Sequence, residues 1–273
     1  MNVRDRLMAR IADGHYSLSR VDPDSTLGLS RKKAEKRLEK EALAIGDLQS
    51  RLHAENRRTV LIVLQGMDTA GKDGTIKHAM SQMNPQGVRV VGFKEPTPEE
   101  QKHQFLWRIR RALPDPGQIV IFNRSHYEDV LVPRVKKLMS DRIIESRYEQ
   151  INRFEEEITK TGTTILKFCL HISYEVQRDR LLARLEDPTK QWKFSEADIT
   201  NRVYWDDYMA AYDLAIARCS TPTAPWYVIP SNKKWFRNWA VAQIVAESLD
   251  EMNPKYPRPK LDIPGLKAKL KAS

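Results

Sequence analysis

The hydrophobic residues of the chain follow two different spacings, one typical of buried strands and one typical of helices. The strand-like runs are continuous and rich in β-branched residues, which suits strands buried on both faces. They occupy 59–65, 88–93, 118–122, 163–172 and 226–229. Between them, apolar residues recur every three or four positions, as in 141–161, 196–219 and 235–252, which predicts helices. Strands that alternate with helices predict an α/β fold, here a five-stranded parallel sheet with helices on both faces.

Changes in this pattern divide the chain into three parts. Residues 1–56 form an N-terminal segment that ends in a long predicted helix over 31–56, whose apolar stripe we expect to pack on the core or on a partner subunit. Residues 57–252 contain all the predicted strands and form the main domain. Residues 253–273 carry four prolines, and we expect this tail to be irregular.

The composition is that of a globular protein with a sizeable core, since 41% of the 273 residues are hydrophobic and 30% are charged. The two cysteines cannot staple a chain of this length, and we expect reduced, buried thiols. No apolar stretch approaches the ~20 residues that cross a bilayer. The N-terminus has no apolar signal region, so we expect a cytoplasmic protein without a membrane partner.

The net charge of +10 is unevenly distributed, because residues 255–273 hold six basic residues and one acidic residue, and therefore half of it. A basic chain can bind nucleic acid, but this sequence has no aromatic-rich basic strand and no helix-turn-helix pattern. We therefore expect an anionic partner other than nucleic acid, although a nucleic-acid-binding protein remains an alternative that a gel-shift assay would test.

The segment that follows the first predicted strand reads Gly-Met-Asp-Thr-Ala-Gly-Lys-Asp-Gly over 66–74 and leads into a predicted helix. Glycines such as Gly66, Gly71 and Gly74 let backbone N–H groups wrap around a phosphate, and the helix N-terminus adds partial positive charge. Lys72 supplies a cationic contact to the transferring phosphates. The segment is therefore predicted to be the phosphate-binding loop of a phosphotransferase.

Two carboxylates distinguish this loop from the usual pattern. Asp73 replaces the serine or threonine that commonly follows the lysine, and Asp68 lies within the loop itself. A carboxylate at this position repels phosphate unless a divalent cation lies between them. We therefore expect Asp68 to hold Mg²⁺, with a lesser role for Asp73. The alternatives are a turn-forming role for Asp68 and a helix-dipole role for Asp73.

Polar residues at the end of the third predicted strand are expected to face this loop, as the equivalent residues do in P-loop kinases. Asn123 occupies the strand end, where it is a weaker metal ligand than a carboxylate, and Arg124 places a fixed charge beside the phosphoryl oxygens. Glu128 and Asp129 are further acids nearby, or else solvated acids at a helix start. The candidate metal ligands are Asp68, Asn123 and Glu128.

Two basic segments are candidates for contact with phosphate. The segment at about 178–200 breaks at Asp187-Pro188, and its cations are predicted to form a mobile lid that excludes water and neutralises charge. A second basic stretch, 133–137, is either a positive track towards the loop or an ordinary solvated surface.

Four of these segments resemble motifs of the polyphosphate kinase 2 family. Residues 66–74 are similar to its Walker A segment, 122–129 to its Walker B segment, 187–194 to its lid and 224–230 to its last strand. The resemblance covers roughly residues 15–255. It implies a three-layer α/β/α P-loop kinase fold with a helical lid, and Mg²⁺-dependent transfer from inorganic polyphosphate to ADP. Asn-Arg-Ser-His-Tyr-Glu over 123–128 looks like the class III subgroup, which accepts both AMP and ADP.

The resemblance also implies roles for individual residues. Asp68, Lys72, Arg124 and Arg184 would be catalytic, although this chain departs from the many members that have aspartate at the position of Asn123. The residues that would bind nucleotide or phosphate are Gly66, Gly71, Asp73, Gly74, Asn123, Glu128, Lys190 and Lys193. Those expected to grip polyphosphate are Lys72, Lys77, Arg134, Lys136 and Lys137.

The expected partners are polyphosphate and adenine nucleotides, with guanine nucleotides as further candidates and a homodimer or homotetramer as the assembly. The main alternative is an ATP-dependent nucleoside or nucleotide kinase on the same fold.

Overall fold

The computed structural model of the chain describes residues 3–273 and contains one five-stranded parallel sheet in the order β2-β3-β1-β4-β5 within that range. The strands are β1 (Thr59–Gln65), β2 (Val88–Gly92), β3 (Ile119–Asn123), β4 (Thr163–His171) and β5 (Trp226–Pro230). Each differs from its predicted run by at most one residue at either end. The expected parallel sheet is therefore confirmed.

The chain also contains eleven α-helices over residues 3–273. They are α1 (Val3–Leu7), α2 (Arg31–Glu55), α3 (Lys72–Ala79), α4 (Trp107–Arg110), α5 (Glu128–Val135), α6 (Asp141–Lys160), α7 (Tyr174–Glu186), α8 (Glu196–Thr200), α9 (Trp205–Cys219), α10 (Lys234–Met252) and α11 (Ile263–Ala272). No helix among these is both long and apolar enough to cross a membrane.

The central strand β1 is buried along its whole length because helices cover both faces of the sheet. Its alternate residues enter two separate cores. Leu61 and Val63 pack with residues of α4, α5, α6 and α9, whereas Val60, Ile62 and Leu64 pack with residues of α2, α3 and α10. This arrangement explains why the strand sequence is continuously apolar, and it confirms the three-layer α/β/α architecture.

The long N-terminal helix α2 lies against α10 of the same chain. Ile45, Leu48 and Leu52, from its predicted apolar stripe, are buried in the core that α10 also lines. The expectation that this stripe packs on the core is consistent with the structure. Because the chain itself covers the stripe, it gives no reason to expect self-association there.

Two predictions of local secondary structure are wrong. The helix expected over 196–219 is divided into α8, a 3-10 turn at 201–204 and α9, because residues such as Thr200 and Val203 are poor helix formers. The tail expected to be irregular contains the helix α11, which the Asp262 side chain caps by accepting a hydrogen bond from the Gly265 backbone N–H. Leucine, alanine and lysine follow this cap, and they are good helix formers.

Candidate active site

The phosphate loop lies where β1 ends and α3 begins, at the carboxyl edge of the sheet. Gly66 and Gly71 have φ values of +149° and +107°, which L side chains rarely adopt. A Cβ atom at Gly66 would also lie 2.6 Å from the Leu170 carbonyl oxygen of the neighbouring strand β4. Glycine is therefore required for the backbone to turn so sharply beside the sheet.

The Lys72 ammonium folds back into the loop and donates to the carbonyl oxygens of Gly66, at 2.7 Å, and Met67, at 3.4 Å. Burial lowers the pKa of this amine and Arg124 adds to the effect, whereas the attraction of Asp68 opposes it. The ammonium therefore lies inside the loop, where the neighbouring charges change its pKa.

Asp68 and Arg124 join the phosphate loop to the end of β3 through an ion pair of 2.9 Å between Oδ1 and Nη2. The two side chains are 33% and 42% exposed, so a phosphate or a cation arriving from solvent can compete for either partner. Arg124 has a φ of +64°, an uncommon conformation for a residue other than glycine, and its backbone N–H donates to Leu64 of β1. Strained backbone of this kind is common at functional sites.

Asn123 is hydrogen-bonded to Asp73, at 2.7 Å between Nδ2 and Oδ1. This contact uses the amide nitrogen, so the amide oxygen is the atom that Asn123 could offer to a metal ion. Lys193 approaches the other oxygen of Asp73 at 3.1 Å. Although burial opposes the effect, the hydrogen bonds from Asn123 and Lys193 lower the pKa of Asp73, which stays ionised.

Glu128 begins helix α5 and is half-buried beside the loop. With the Gln65 amide oriented so that its oxygen accepts from Ser125, its nitrogen donates to Glu128 Oε1 at 3.1 Å. Burial raises the pKa of Glu128, against the opposing attraction of Arg124 and Lys72. Glu128, Arg124 and Lys72 therefore form one electrostatic group with Asp68. Asp129 instead pairs with Arg108 at 3.3 Å, a structural contact away from the loop.

The three predicted lid cations differ in their partners, and one of them contacts a residue of the phosphate loop. Lys193 reaches Asp73 on α3, as described above, whereas Arg184 pairs with Asp198 of the lid at 3.3 Å and Lys190 pairs with Asp187. Arg184 and Lys190 are thus held by lid acids in this structure and would have to change partners to contact phosphate.

The predicted polyphosphate-gripping residues do not form one continuous row. Arg134 is paired with Glu145 of α6 at 2.8 Å, so its charge is already balanced within the fold. Lys136 donates to Asn201 at 2.8 Å and lies 3.6 Å from the centre of the Tyr204 ring, next to the lid. Lys77, on α3 directly after the loop, and Lys137 are exposed to solvent.

Several side chains that donate hydrogen bonds to backbone carbonyls of the phosphate loop are not apparent from the sequence. Gln177 donates to the Asp68 carbonyl at 3.3 Å, and Arg180 bridges the carbonyls of Thr69 and Ser231 at 2.9 and 2.6 Å. Arg237 donates to the Ala70 carbonyl at 3.0 Å. The sequence places Arg180 only among the cations of the predicted lid. Arg237 lies within a predicted helix, where no local sequence signal marks it.

The donor set around the loop fits a Mg²⁺ ion that takes most of its ligands from water and phosphate. No group of three or more histidine, cysteine, aspartate or glutamate side chains in residues 3–273 could hold a metal alone. Mg²⁺ is commonly bound by one or two carboxylates together with substrate phosphates. The accessible carboxylate of Asp68, beside the half-buried Glu128, meets this requirement.

Comparisons with known proteins agree with this geometry. The family model described as Polyphosphate kinase 2 (PPK2) matches residues 28–257. The AMP/ADP-polyphosphate phosphotransferase of Meiothermus ruber is 48% identical over 252 residues, which is 90% of this chain and 93% of that protein. The ADP-polyphosphate phosphotransferase of Rhodopseudomonas palustris is 44% identical over 225 residues, 78% of each chain.

A solved structure extends the similarity over the whole fold. The crystal structure of Polyphosphate Kinase 2 from Arthrobacter aurescens TC1 matches with a TM-score of 0.95 and 41% sequence identity. The match covers 100% of this chain and 98% of that one.

Proposed function

Since this chain belongs to the polyphosphate kinase 2 family, it is a polyphosphate-dependent nucleotide kinase, and we propose that it transfers the terminal phosphoryl group of inorganic polyphosphate to both ADP and AMP. The observation that carries this proposal is the group of alternating charges at the phosphate loop, formed by Lys72, Asp68, Arg124 and Glu128. Acceptance of AMP as well as ADP is supported by the similarity to the AMP/ADP-polyphosphate phosphotransferase of Meiothermus ruber.

Phosphoryl transfer to a nucleotide phosphate does not require a strong general base. The attacking oxygen belongs to a nucleotide phosphate, which is already anionic at neutral pH, so catalysis depends on alignment and on neutralising charge. Lys72 and Arg124 are placed to stabilise the oxygens of the transferring phosphoryl group. Arg124 donates to Asp68 through Nη2, so the other donors of its guanidinium remain available for phosphate.

Phosphotransferases of this kind generally need a divalent metal ion, and the ion we propose is Mg²⁺. Asp68 would be its principal protein ligand, with Glu128 and the amide oxygen of Asn123 as further candidates. When bound, the ion supplies positive charge that screens the loop carboxylate from the phosphates of both substrates.

The polyphosphate chain is proposed to lie over exposed cations beside the loop. Lys77 and Lys137 are exposed and free to contact it, Lys136 lies beside the lid, and Lys190 and Lys193 are on the lid itself. Arg134 is a weaker candidate because Glu145 already balances its charge. A polymer with about one charge per phosphate binds through many weak ionic contacts, so binding should depend steeply on salt.

The remaining partners are proposals that rest on the family. Guanine nucleotides are further candidate acceptors, and we propose a homodimer or homotetramer in the cytoplasm. The self-contact surface would have to lie away from the α2 stripe, which α10 covers.

The direct test is to mix the protein with ADP, Mg²⁺ and long-chain polyphosphate in the absence of ATP and to follow ATP by luciferase. ATP formation that disappears in Lys72→Ala is the expected result. Silence with polyphosphate, combined with phosphorylation of AMP or a nucleoside when ATP is the donor, would instead establish the ATP-dependent kinase.

A further inference from the structure

Arg237 is exceptional among the buried cations of residues 3–273. Arg108, Lys167 and Arg237 are the cationic side chains that are less than 9% exposed in that range. Arg108 forms ion pairs with Asp129 and Glu100, and Lys167 pairs with Glu155. Arg237 is 3% exposed and has no carboxylate partner within the described residues.

The Arg237 guanidinium instead fills the space directly beneath the phosphate loop. Nη1 donates to the Ala70 carbonyl at 3.0 Å, while Nε and Nη2 donate to the side-chain oxygen of Asn238 at 3.1 and 2.8 Å. A Cβ atom at Gly71 would lie 1.7 Å from Nη1, and one at Gly74 would lie 2.9 Å from Nη2. Because Gly71 and Gly74 have no side chains, the guanidinium can lie against the loop backbone. Gly71 also adopts the positive φ that the turn of the loop requires.

A second cation increases the excess of positive charge at this point. Arg180 donates to the carbonyls of Thr69 and Ala70 from the lid side, at 2.9 and 3.3 Å, and it too has no carboxylate partner within residues 3–273. Burial lowers the pKa of Arg237 to about 9, and Arg180 adds to this effect. A buried charge without a counter-ion is costly, so this arrangement needs a compensating anion.

We propose that Arg237 is a positioning residue for phosphoryl transfer, which fixes the phosphate loop through the Ala70 carbonyl and whose charge is balanced by substrate phosphate rather than by a protein carboxylate. The inference rests on the proposed function, because it identifies the bound anion as a phosphate of the substrates. It also predicts that substrate binding and stability are coupled, since the protein without substrate contains an unbalanced buried charge.

The test compares Arg237→Met and Arg237→Lys with the wild type, using Arg58→Met as the matched control. Arg58 pairs with Glu55 at 2.6 Å and precedes β1, at the edge of the sheet opposite the loop. Two quantities are measured for each protein: the melting temperature with and without tripolyphosphate, and kcat and KM for polyphosphate with ADP.

In Arg237→Met we expect little change in the melting temperature without ligand, because the removal of an unbalanced buried charge offsets the loss of the hydrogen bonds to Ala70 and Asn238. The increase in melting temperature caused by tripolyphosphate should fall by about half or more, and kcat/KM should fall about tenfold or more, since a charged hydrogen-bonding group is lost. Arg237→Lys can carry the charge when the bound anion favours the protonated amine, but it lacks the fork of donors, so it should retain part of the ligand-induced shift while kcat falls. Arg58→Met should melt at a lower temperature and keep the full ligand-induced shift.

The inference is overturned if Arg237→Met keeps the wild-type ligand-induced shift, or if Arg237→Lys loses that shift as completely as Arg237→Met does. It is also overturned if Arg237→Met is destabilised like the control while its kcat/KM is unchanged. If the wild type makes no ATP from polyphosphate but the tripolyphosphate shift still depends on Arg237, the proposed function fails and the positioning role stands.

Discussion

Replacement of Lys167 by methionine tests how much a buried charge network beneath the Walker B segment contributes to stability. Lys167 is fully buried and its ammonium donates to Glu155 Oε2 at 2.6 Å, Tyr127 Oη at 2.9 Å and the Cys219 carbonyl at 2.6 Å. These three acceptors match the three N–H donors of the ammonium. Glu155 also accepts from Tyr127 at 2.9 Å and contacts His126 at 3.2 Å. Each donor of the Lys167 ammonium therefore has an acceptor, and Lys167 is the cation that pairs with Glu155 in this network.

The expected loss of stability in Lys167→Met is that of a buried carboxylate, Glu155, left without its cation. Removing one partner of such a pair costs about 3–5 kcal/mol. For a chain of this size that corresponds to a decrease of roughly 6–20 °C in melting temperature. The double variant Lys167→Met/Glu155→Gln removes both charges and keeps a polar partner for Tyr127, so its loss should be smaller than that of Lys167→Met alone.

The pH dependence distinguishes this cause from a simple packing defect. Burial would raise the pKa of Glu155, but Lys167 and His126 overcome this effect and lower it below the ordinary value. In the wild type the contribution of the pair is therefore present above the unfolded-state pKa and is lost as the pH falls through the lower folded-state value. Without Lys167, burial favours protonated Glu155. The difference in the free energy of unfolding between Lys167→Met and the wild type should therefore become smaller as the pH falls from 7 towards 4.

The assay is urea unfolding of the wild type and both variants at several pH values across that range. The reasoning is refuted if that difference is independent of pH, or if the double variant is less stable than Lys167→Met at neutral pH.

Further predictions concern the site itself. Lys72→Ala and Asp68→Asn should each lower kcat by roughly 100-fold or more while circular dichroism and melting temperature show a folded protein; near-normal rates in both would contradict the assigned site. Because burial raises the pKa of Glu128, its protonation should reduce kcat/KM at a higher pH than that of an ordinary glutamate, and Glu128→Gln should remove this acidic limb from the pH profile. Asp73→Asn removes the charge partner of Lys193, but the pair is exposed, so KM should change by less than about tenfold; a larger change would mean that Asp73 contacts substrate. The KM for long polyphosphate should rise steeply with salt, whereas a flat response would exclude the proposed contacts with the exposed cations beside the loop.

The sheet and the loop could be predicted because both depend on local sequence. β1 has a continuous run of apolar, mostly β-branched residues because it is buried on both faces, and this pattern is visible without a structure. The loop is equally local, since the chemistry that binds phosphate is carried by consecutive residues between a strand and a helix. The boundaries of α8 and α9 were less accessible, because a capping box at Ser195 and Asp198 starts a new short helix within a helix-like pattern.

The rest of the site depends on contacts between residues far apart in the chain. Arg180 and Arg237 reach the loop from 110 and 167 positions away, so no spacing rule relates them to it. The pairing of Arg134 with Glu145 could not be foreseen either, because it requires α6 to lie beside α5. For the same reason, the sequence pattern could not reveal that Asp198, 14 positions away, holds Arg184, whereas Lys190 and its partner Asp187 are only three positions apart.

The central claim is that polyphosphate itself donates the phosphoryl group at this site, and phosphorus NMR tests it most directly. AMP, ADP and GDP are supplied in parallel with Mg²⁺ and with polyphosphate as the sole donor. Our account predicts that the signals of internal polyphosphate decline while the β-phosphate of ADP appears from AMP and the γ-phosphate of ATP appears from ADP. Unchanged polyphosphate signals with all three nucleotides, from a folded protein that transfers phosphate once ATP is added, would contradict it.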